Sequence, residues 1–468
     1  MQMAVPKTGQ VESPTRLLAE FASGLGHGDL DEEARHAVRR HTLDTVGAMI
    51  AGATQRATGI VEATLAETAG AGDVPVAGLA RRMDALSAAY VMGTASHGLE
   101  LDDGYRKGSV HPGCVIVPAL LAAAHGSGAD GQRLAAAVAV GYEISSRIAR
   151  SMHPRSRHRG FHNTSVAGVL AAAAAVGRLR GLDADRIGHA LGLAGSSAAG
   201  VFAFLSGGGE VKRTHPGHAA REGLMVALFA ERGLTGPAGV IEAEDGGIFS
   251  SFAGEGDIDD LLAGLGDEFA VADCYMKPYA ACRHLHPGID GMLQLREAHS
   301  IDPDDVERIE IATYALAESH AATGWGDMLA AQMSYPYTMA AALAEGAVDL
   351  EQFTEAARAD DTLIRHCAKV HVTVDDECEA DYPVKRAAKL TVHMADGQSH
   401  QAYVPEPYGA PANPMSDEAV SRKFRGLADP VLGAARAARA EELLWRLDEL
   451  DDLSELTEPL AAEAPAAE

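Results

Sequence analysis

A mainly α fold, one large all-helical domain with a smaller α+β domain beside it, is what this sequence of 468 residues predicts. Three observations carry that expectation. Aromatic residues make up only 5% of the chain while Ala and Gly are abundant, which suits closely packed helices better than a β-sandwich. Apolar residues recur at helical spacing through most of the first 268 positions and again over 416–450, with glycine or polar breaks between them. Alternation of apolar and polar residues, the mark of strands, is concentrated between 269 and 409.

Taken in order, residues 1–12 have no pattern and read as a flexible end. Helices follow at 14–24, 31–52, 57–70 and 84–97. A charged interruption, LELDDGYRKGSVHPG (99–113), precedes a helix over 114–125, and further helices are expected at 132–151, 164–181, 183–205 and 216–233. The basic loop RSRHRGFHNTSVAG (155–168) breaks this series, and Thr164 or Ser165 can cap the helix after it. Strands are expected within 305–316, 369–377 and 389–404, the last with a hairpin turn at Ala395–Gly397, and helices at 287–298 and 330–346. The resulting division is 13–268 with 410–450 for the helical domain and 269–409 for the α+β domain. The acidic tail 451–468 reads as a second flexible end.

A net charge of −27 opposes nucleic acid and anionic membranes, both of which are met through basic surfaces. An anionic metabolite therefore needs a local cationic pocket. The chain has no long uncharged apolar run, and MQMAVPKTGQ lacks the apolar core of a signal peptide, so the expected location is the cytoplasm. Five cysteines at 114, 274, 282, 367 and 378 form no CxxC pair, against a disulfide framework or an iron–sulfur cluster. GSGADG (126–131) matches a dinucleotide fingerprint as a string but follows a helical run in place of a strand, so no nucleotide cofactor is expected.

Chemistry concentrates in GGGEVKRTHPGHAAREG (207–223). Gly207, Gly208 and Gly209 allow close backbone approach, and Lys212, Arg213, His215, His218 and Arg221 supply cations or protonatable groups. Pro216 suggests a helix beginning there, with an anion held at its start. His-Pro-Gly occurs three times, at 111–113, 215–217 and 286–288, each time before an apolar run. The expectation is a proline in the first helical turn with the histidine just outside it. Glu100, Asp102 and Asp103 precede His111 and can orient an imidazole. KPYAACRHLHPG (277–288) adds Lys277, Tyr279, Cys282, Arg283, His284 and His286. Its Cys-x-His-x-His spacing matches no zinc pattern and lysines repel a cation, so no metal is expected; nor does Cys282 carry a nucleophile signature.

Four segments together, HGLELDDGYRKGSVHPGCVIVPALL, GFHNTSVAGVLAAAAAVGRLRGL, VKRTHPGHAAREG with the following RGLTGP, and MKPYAACRHLHPGID, resemble the MmgE/PrpD family in order and over nearly the whole chain. That family includes 2-methylcitrate dehydratase, cis-aconitate decarboxylase and iminodisuccinate epimerase. The resemblance implies a helical domain built from both ends of the chain, an α+β lid domain, a homodimer and a metal-free, cofactor-free site between the domains. It implies His111, His162, Lys212 and Asp102 as catalytic residues, with Glu100 and Lys277 as site residues that hold the substrate.

With Arg283, His215, His286 and Tyr279 added as carboxylate-holding groups, the expected ligand is a small di- or tricarboxylate. Glu100 and Gly104-Tyr105-Arg106 depart from the decarboxylase-like pattern. Dehydration or hydration of a 2-methylcitrate- or aconitate-like acid is accordingly the expected reaction. Decarboxylation of a cis-aconitate-like acid and epimerisation of a chiral diacid are the enzymatic alternatives, and a carboxylate-binding module is the non-enzymatic one.

Overall fold

The computed structural model describes residues 13–204 and 209–463. The expectations for 1–12 and for Gly207 and Gly208 lie outside the described residues. The chain forms two compact units. One comprises residues up to Gly98, Asp102–Cys274 and Asp417 onward; the other comprises Leu99–Leu101 and Tyr275–Ser416. The protein is mainly α.

In the first unit, helices α1 (Pro14–Gly24), α2 (Glu32–Gly52), α3 (Arg56–Thr68), α4 (Ala85–Ser96), α5 (Gly113–Ala124), α6 (Gly131–Met152), α7 (Asn163–Leu179), α8 (Ala184–Gly195) and α9 (Val211–Glu231) follow one another. Their starts are written locally. Asp31, Asp84, Asp130 and Asp183 each accept a hydrogen bond from a backbone N–H in the first turn of α2, α4, α6 and α8. All residues of α5 are buried, as are all of α7 except Arg178. A helix apolar on every side belongs at the centre, and α7 packs against α5, α6, α8 and α9. The C-terminal helices α12 (Asp417–Leu432) and α13 (Ala434–Trp445) return to this unit, α12 lying on α2.

Three expectations fail here for physical reasons. The helix expected at 183–205 stops at Gly195, and Gly200 adopts a left-handed φ of 114° that lets the chain run back beside Phe161. The helix expected to begin at Pro216 begins at Val211, so Pro216 sits inside it and forgoes one internal hydrogen bond. The flexible end expected from 451 contains helix α14 (Ser454–Leu460), whose Leu456 and Leu460 are buried and whose last carbonyl accepts the Gly78 N–H at 2.8 Å.

The second unit is α+β. Strands β1 (Val306–Thr313), β2 (Val370–Val374), β3 (Ala388–Met394) and β4 (Ser399–Val404) form one sheet in the order β2-β1-β3-β4. β1 pairs parallel with β2 (Ile309 opposite Val370) and antiparallel with β3 (Ile311 opposite Leu390). The β3-β4 hairpin turns at Ala395–Gly397, where Gly397 takes φ 86°. Ile309, Ile311, Leu390 and Val392 are buried, and helix α10 (His286–His299) covers β3 and β4. Helix α11 (Tyr335–Glu345) packs in turn on α10.

Candidate active site

Four histidines gather in the helical unit. His97 caps the C-terminus of α4, His111 lies just before α5, His162 is the N-cap residue of α7, and His215 sits in the second turn of α9. Ring centroids are 5.1 Å apart for His97 and His111, 5.9 Å for His97 and His162, and 5.2 Å for His162 and His215. The backbone brings them together because small residues allow the helices to cross closely. A Cβ on Gly217 would lie 2.3 Å from the Tyr90 carbonyl oxygen, and one on Gly93 would lie 2.7 Å from Gly217 Cα. A Cβ on Gly113 would meet Thr45 Oγ1 at 2.3 Å, and one on Gly288 the Tyr335 ring at 2.7 Å. In all three His-Pro-Gly copies, then, glycine serves close packing. Only the copies at 111–113 and 286–288 lie at helix starts; the one at 215–217 does not.

The carboxylates before His111 divide the labour. Asp103 is fully occupied: its side chain accepts from His41 Nδ1 (2.8 Å), the Tyr142 hydroxyl (2.7 Å) and the Gly113 N–H (3.1 Å). This fixes its main-chain carbonyl, which lies 2.5 Å from His111 Nδ1. A carbonyl can only accept, so His111 carries its proton on Nδ1 and Nε2 is the basic nitrogen of the neutral ring. Asp102, wholly buried, places Oδ2 2.7 Å from His97 Nδ1 and 3.2 Å from His111 Nδ1. It orients both rings. The Thr164 hydroxyl, expected as a helix cap, instead accepts the His111 N–H at 3.2 Å. Ser165 donates to the His215 carbonyl at 3.3 Å.

His162 and His215 face each other through Nδ1 atoms 3.0 Å apart, so one nitrogen donates and the other accepts. Both rings are held neutral. Burial pushes His162 well below the ordinary histidine range, with His97, His215 and Lys212 adding to it, and burial with the neighbouring His97, His218 and Lys212 lowers His215 to about 4. Phe202 and Phe204 enclose the His162 ring at 4.9 and 5.8 Å, delivered there by the segment that leaves α8 early. Lys212 lies buried in the first turn of α9.

His97 and the two phenylalanines were not singled out from sequence. His97 ends a helical run without any local break, so its only signal was its place in the HGLELDD segment. His97, Asp102 and Cys114 present ligand atoms within 4.8 Å of one another, the one trio among the described residues able to hold a metal. His97 and Asp102 already bond each other, and the Cys114 thiol donates to the His111 carbonyl at 3.3 Å.

The remaining expected residues lie in the second unit. Lys277 Nζ donates to Glu100 Oε2 at 3.3 Å, both side chains being buried. Glu100 adopts a left-handed φ of 56°, rare for a residue with a side chain and costly unless its surroundings impose it. Gln332 pins the segment by donating to the Leu99 carbonyl at 2.8 Å.

Arg283, His286 and Tyr279, expected to hold carboxylates, have their polar atoms committed to the fold. Arg283 donates to the Tyr408 and Pro407 carbonyls (2.7 and 3.0 Å) and to His286 Nδ1 (3.0 Å). His286 Nε2 therefore carries the proton and donates to the Ala281 carbonyl at 3.1 Å. Burial lowers the Arg283 guanidinium to about 10, which leaves it charged at neutral pH. The Tyr279 hydroxyl donates to Asp290 at 2.5 Å, and Asp290 also accepts the Tyr408 N–H at 2.6 Å. These three residues tie the 405–409 loop to α10; a cation that is buried and multiply bonded reads in sequence like one that binds a ligand.

Known proteins resemble this chain over nearly its whole length. The family model of the MmgE/PrpD N-terminal domain matches residues 16–259 and that of the C-terminal domain residues 279–449. Cis-aconitate decarboxylase of Aspergillus terreus is 28% identical over 476 residues, 95% of either chain. The cis-aconitate decarboxylase-like protein oryM of Aspergillus oryzae is 30% identical over 415 residues, 83% of this chain and 85% of its own. Human cis-aconitate decarboxylase is 25% identical over 487 residues, 97% of this chain and 96% of its own. No helix among the described residues is long and apolar enough to cross a membrane.

Proposed function

Because the chain belongs to the MmgE/PrpD family, we propose that it is a carboxy-lyase, removing carbon dioxide from cis-aconitate or a closely similar unsaturated tricarboxylate. Full-length similarity to decarboxylases moves the reading from dehydration, the reaction expected from sequence, to this alternative. The observation that carries the mechanism is the His111 ring, fixed through Nδ1 by the Asp103 carbonyl and backed by Asp102.

In cis-aconitate one carboxylate sits on a saturated carbon next to the double bond. When its C–C bond breaks, carbon dioxide departs and the electron pair forms a new double bond. The old double bond then moves its electrons onto the carbon beside a remaining carboxylate, which spreads the charge. Two things are required: a cation near that carboxylate and a proton for that carbon. His111, as imidazolium, gives the proton from Nε2, and Asp102 compensates its charge. Lys212 stabilises the charge that builds up. His162 and His215 are neutral at working pH, so they orient and accept hydrogen bonds and do not act as acids. Lys277 with Glu100 is assigned to substrate holding, within a lid formed by the second unit of a homodimeric, cytoplasmic enzyme that needs neither metal nor cofactor.

The test is a screen of cis-aconitate, trans-aconitate, citrate, isocitrate and 2-methylcitrate, following carbon dioxide release and ultraviolet absorbance together. Carbon dioxide formed from cis-aconitate, with His111→Ala and Lys212→Ala each lowering kcat by ~10²–10⁴, is expected. Absorbance growing on 2-methylcitrate without carbon dioxide would restore dehydration, and binding without turnover of any acid would favour a carboxylate-binding module.

A further inference from the structure

The second unit holds a pair of groups that this reaction does not use. Four of the five thiols point at main-chain carbonyls: Cys114 at His111, Cys274 at Ala270, Cys367 at Leu363 and Cys378 at Ala312. Cys282 instead faces an imidazole, its Sγ 3.9 Å from His320 Nε2. It is also the most exposed cysteine, at 8% against 5% or less for the others. Its position is set by the Cys282 N–H, which donates to the Gln332 carbonyl at 2.9 Å, and His320 lies on the half-buried turn Ser319–Ala322, stacked 6.0 Å from His284.

We propose that Cys282 and His320 form a nucleophile and proton-donor pair that adds to α,β-unsaturated carbonyl compounds. The thiol proton passes to His320 Nε2. The thiolate attacks the β-carbon, a C–S bond forms, the C=C electron pair moves toward the α-carbon, and the imidazolium returns the proton there. No oxidant or further reactant is needed. Burial opposes a thiolate at Cys282, but His320 outweighs it and the thiol is lowered below its ordinary value. Burial raises Cys274 well above that value, Cys367 to about 12 and Cys378 to about 11. Glu100, His320, Tyr314 and Tyr335 are the titratable groups that interact with Cys282 among the described residues, and the His284 backbone N–H also favours the thiolate; Glu100 works against it.

The experiment labels the full-length native protein with limiting N-ethylmaleimide, which needs a proton to complete its addition, or iodoacetamide, which releases iodide and needs none. Peptide mass spectrometry ranks the five cysteines. Cys282 should react at least about tenfold faster than each of the others with both reagents, because the thiolate is the reactive form. In His320→Gln both rates at Cys282 should fall, the maleimide rate further than the iodoacetamide rate. Cys282 ranking level with the buried thiols in the unmodified chain would overturn the pair outright, whether or not the variant folds. Equal slowing of both reagents would overturn His320 as proton donor. The outcome is independent of the decarboxylation proposed above.

Discussion

Asp102→Asn is the most informative single change. The carboxylate is buried, lies 2.7 Å from His97 and 3.2 Å from His111, and is the charge that compensates the imidazolium on which the proposed proton transfer depends. Asparagine keeps the size and one acceptor oxygen while removing that charge. With charge centres ~4 Å apart and an effective dielectric of ~20, the lost interaction is ~4 kcal/mol, which corresponds to ~10³ in rate. The assay is initial-rate carbon dioxide release from cis-aconitate across a range of concentrations, with thermal melting as a control on folding. The expected result is a fall in kcat of ~10³ with little change in KM, since the interaction matters when charge develops and not when substrate docks. A well-folded variant that kept kcat within about tenfold would refute His111 as the Asp102-supported acid.

Gly217→Ala should destabilise the helical unit by roughly 1–3 kcal/mol, because the added methyl meets the Tyr90 carbonyl and Thr94 on α4; urea unfolding checks it, and unchanged stability would mean that the crossing can open. Acidification gives another test through His215. Its folded value, about 4, lies below the ~6.5 of an unfolded histidine, so the unfolded chain takes up the proton first. Its contribution is therefore complete above pH ~6.5 and is lost as pH falls toward 4, by about 2 kcal/mol near pH 5 from the shift alone and on the order of 1 kcal/mol once solvent screening is allowed for. His215→Asn should remove that part of the acid sensitivity in paired urea titrations at neutral and mildly acidic pH; equal losses in both proteins would contradict a buried neutral ring.

Much of the architecture was legible because periodicity reports burial directly. The long helices α2, α6 and α7 and the β3-β4 hairpin follow their apolar patterns. Pro216 misled because proline is read as a helix start, whereas α9 tolerates it one turn further in, where Gly217 must cross Gly93. The 183–205 run misled because alanines around Gly195 and Gly200 continue the helical pattern after the backbone has turned. Around the cluster of histidines, spacing drew attention to His111, Asp102 and His215 beside helix ends and charged breaks, and the family resemblance added His162. Spacing could not separate Lys277, paired with Glu100, from Arg283, committed to carbonyls, since both are cations in one short segment. That distinction depends on which polar atoms are satisfied after folding.

The packing of α12 on α2 sets an order of assembly. Asp44 of α2 is fully buried and receives Lys423 Nζ at 2.6 Å, and Gly47 lies so close to Phe424 that a Cβ there would stand 3.2 Å from its ring. When a growing chain has emerged only through residue 416, the centre of α2 lacks both its cover and the charge that answers Asp44. The segment that covers α2 thus follows residues 275–416 of the second unit in the order of synthesis. Chains that end before Asp417 would leave that face of α2 uncovered and Asp44 without its lysine.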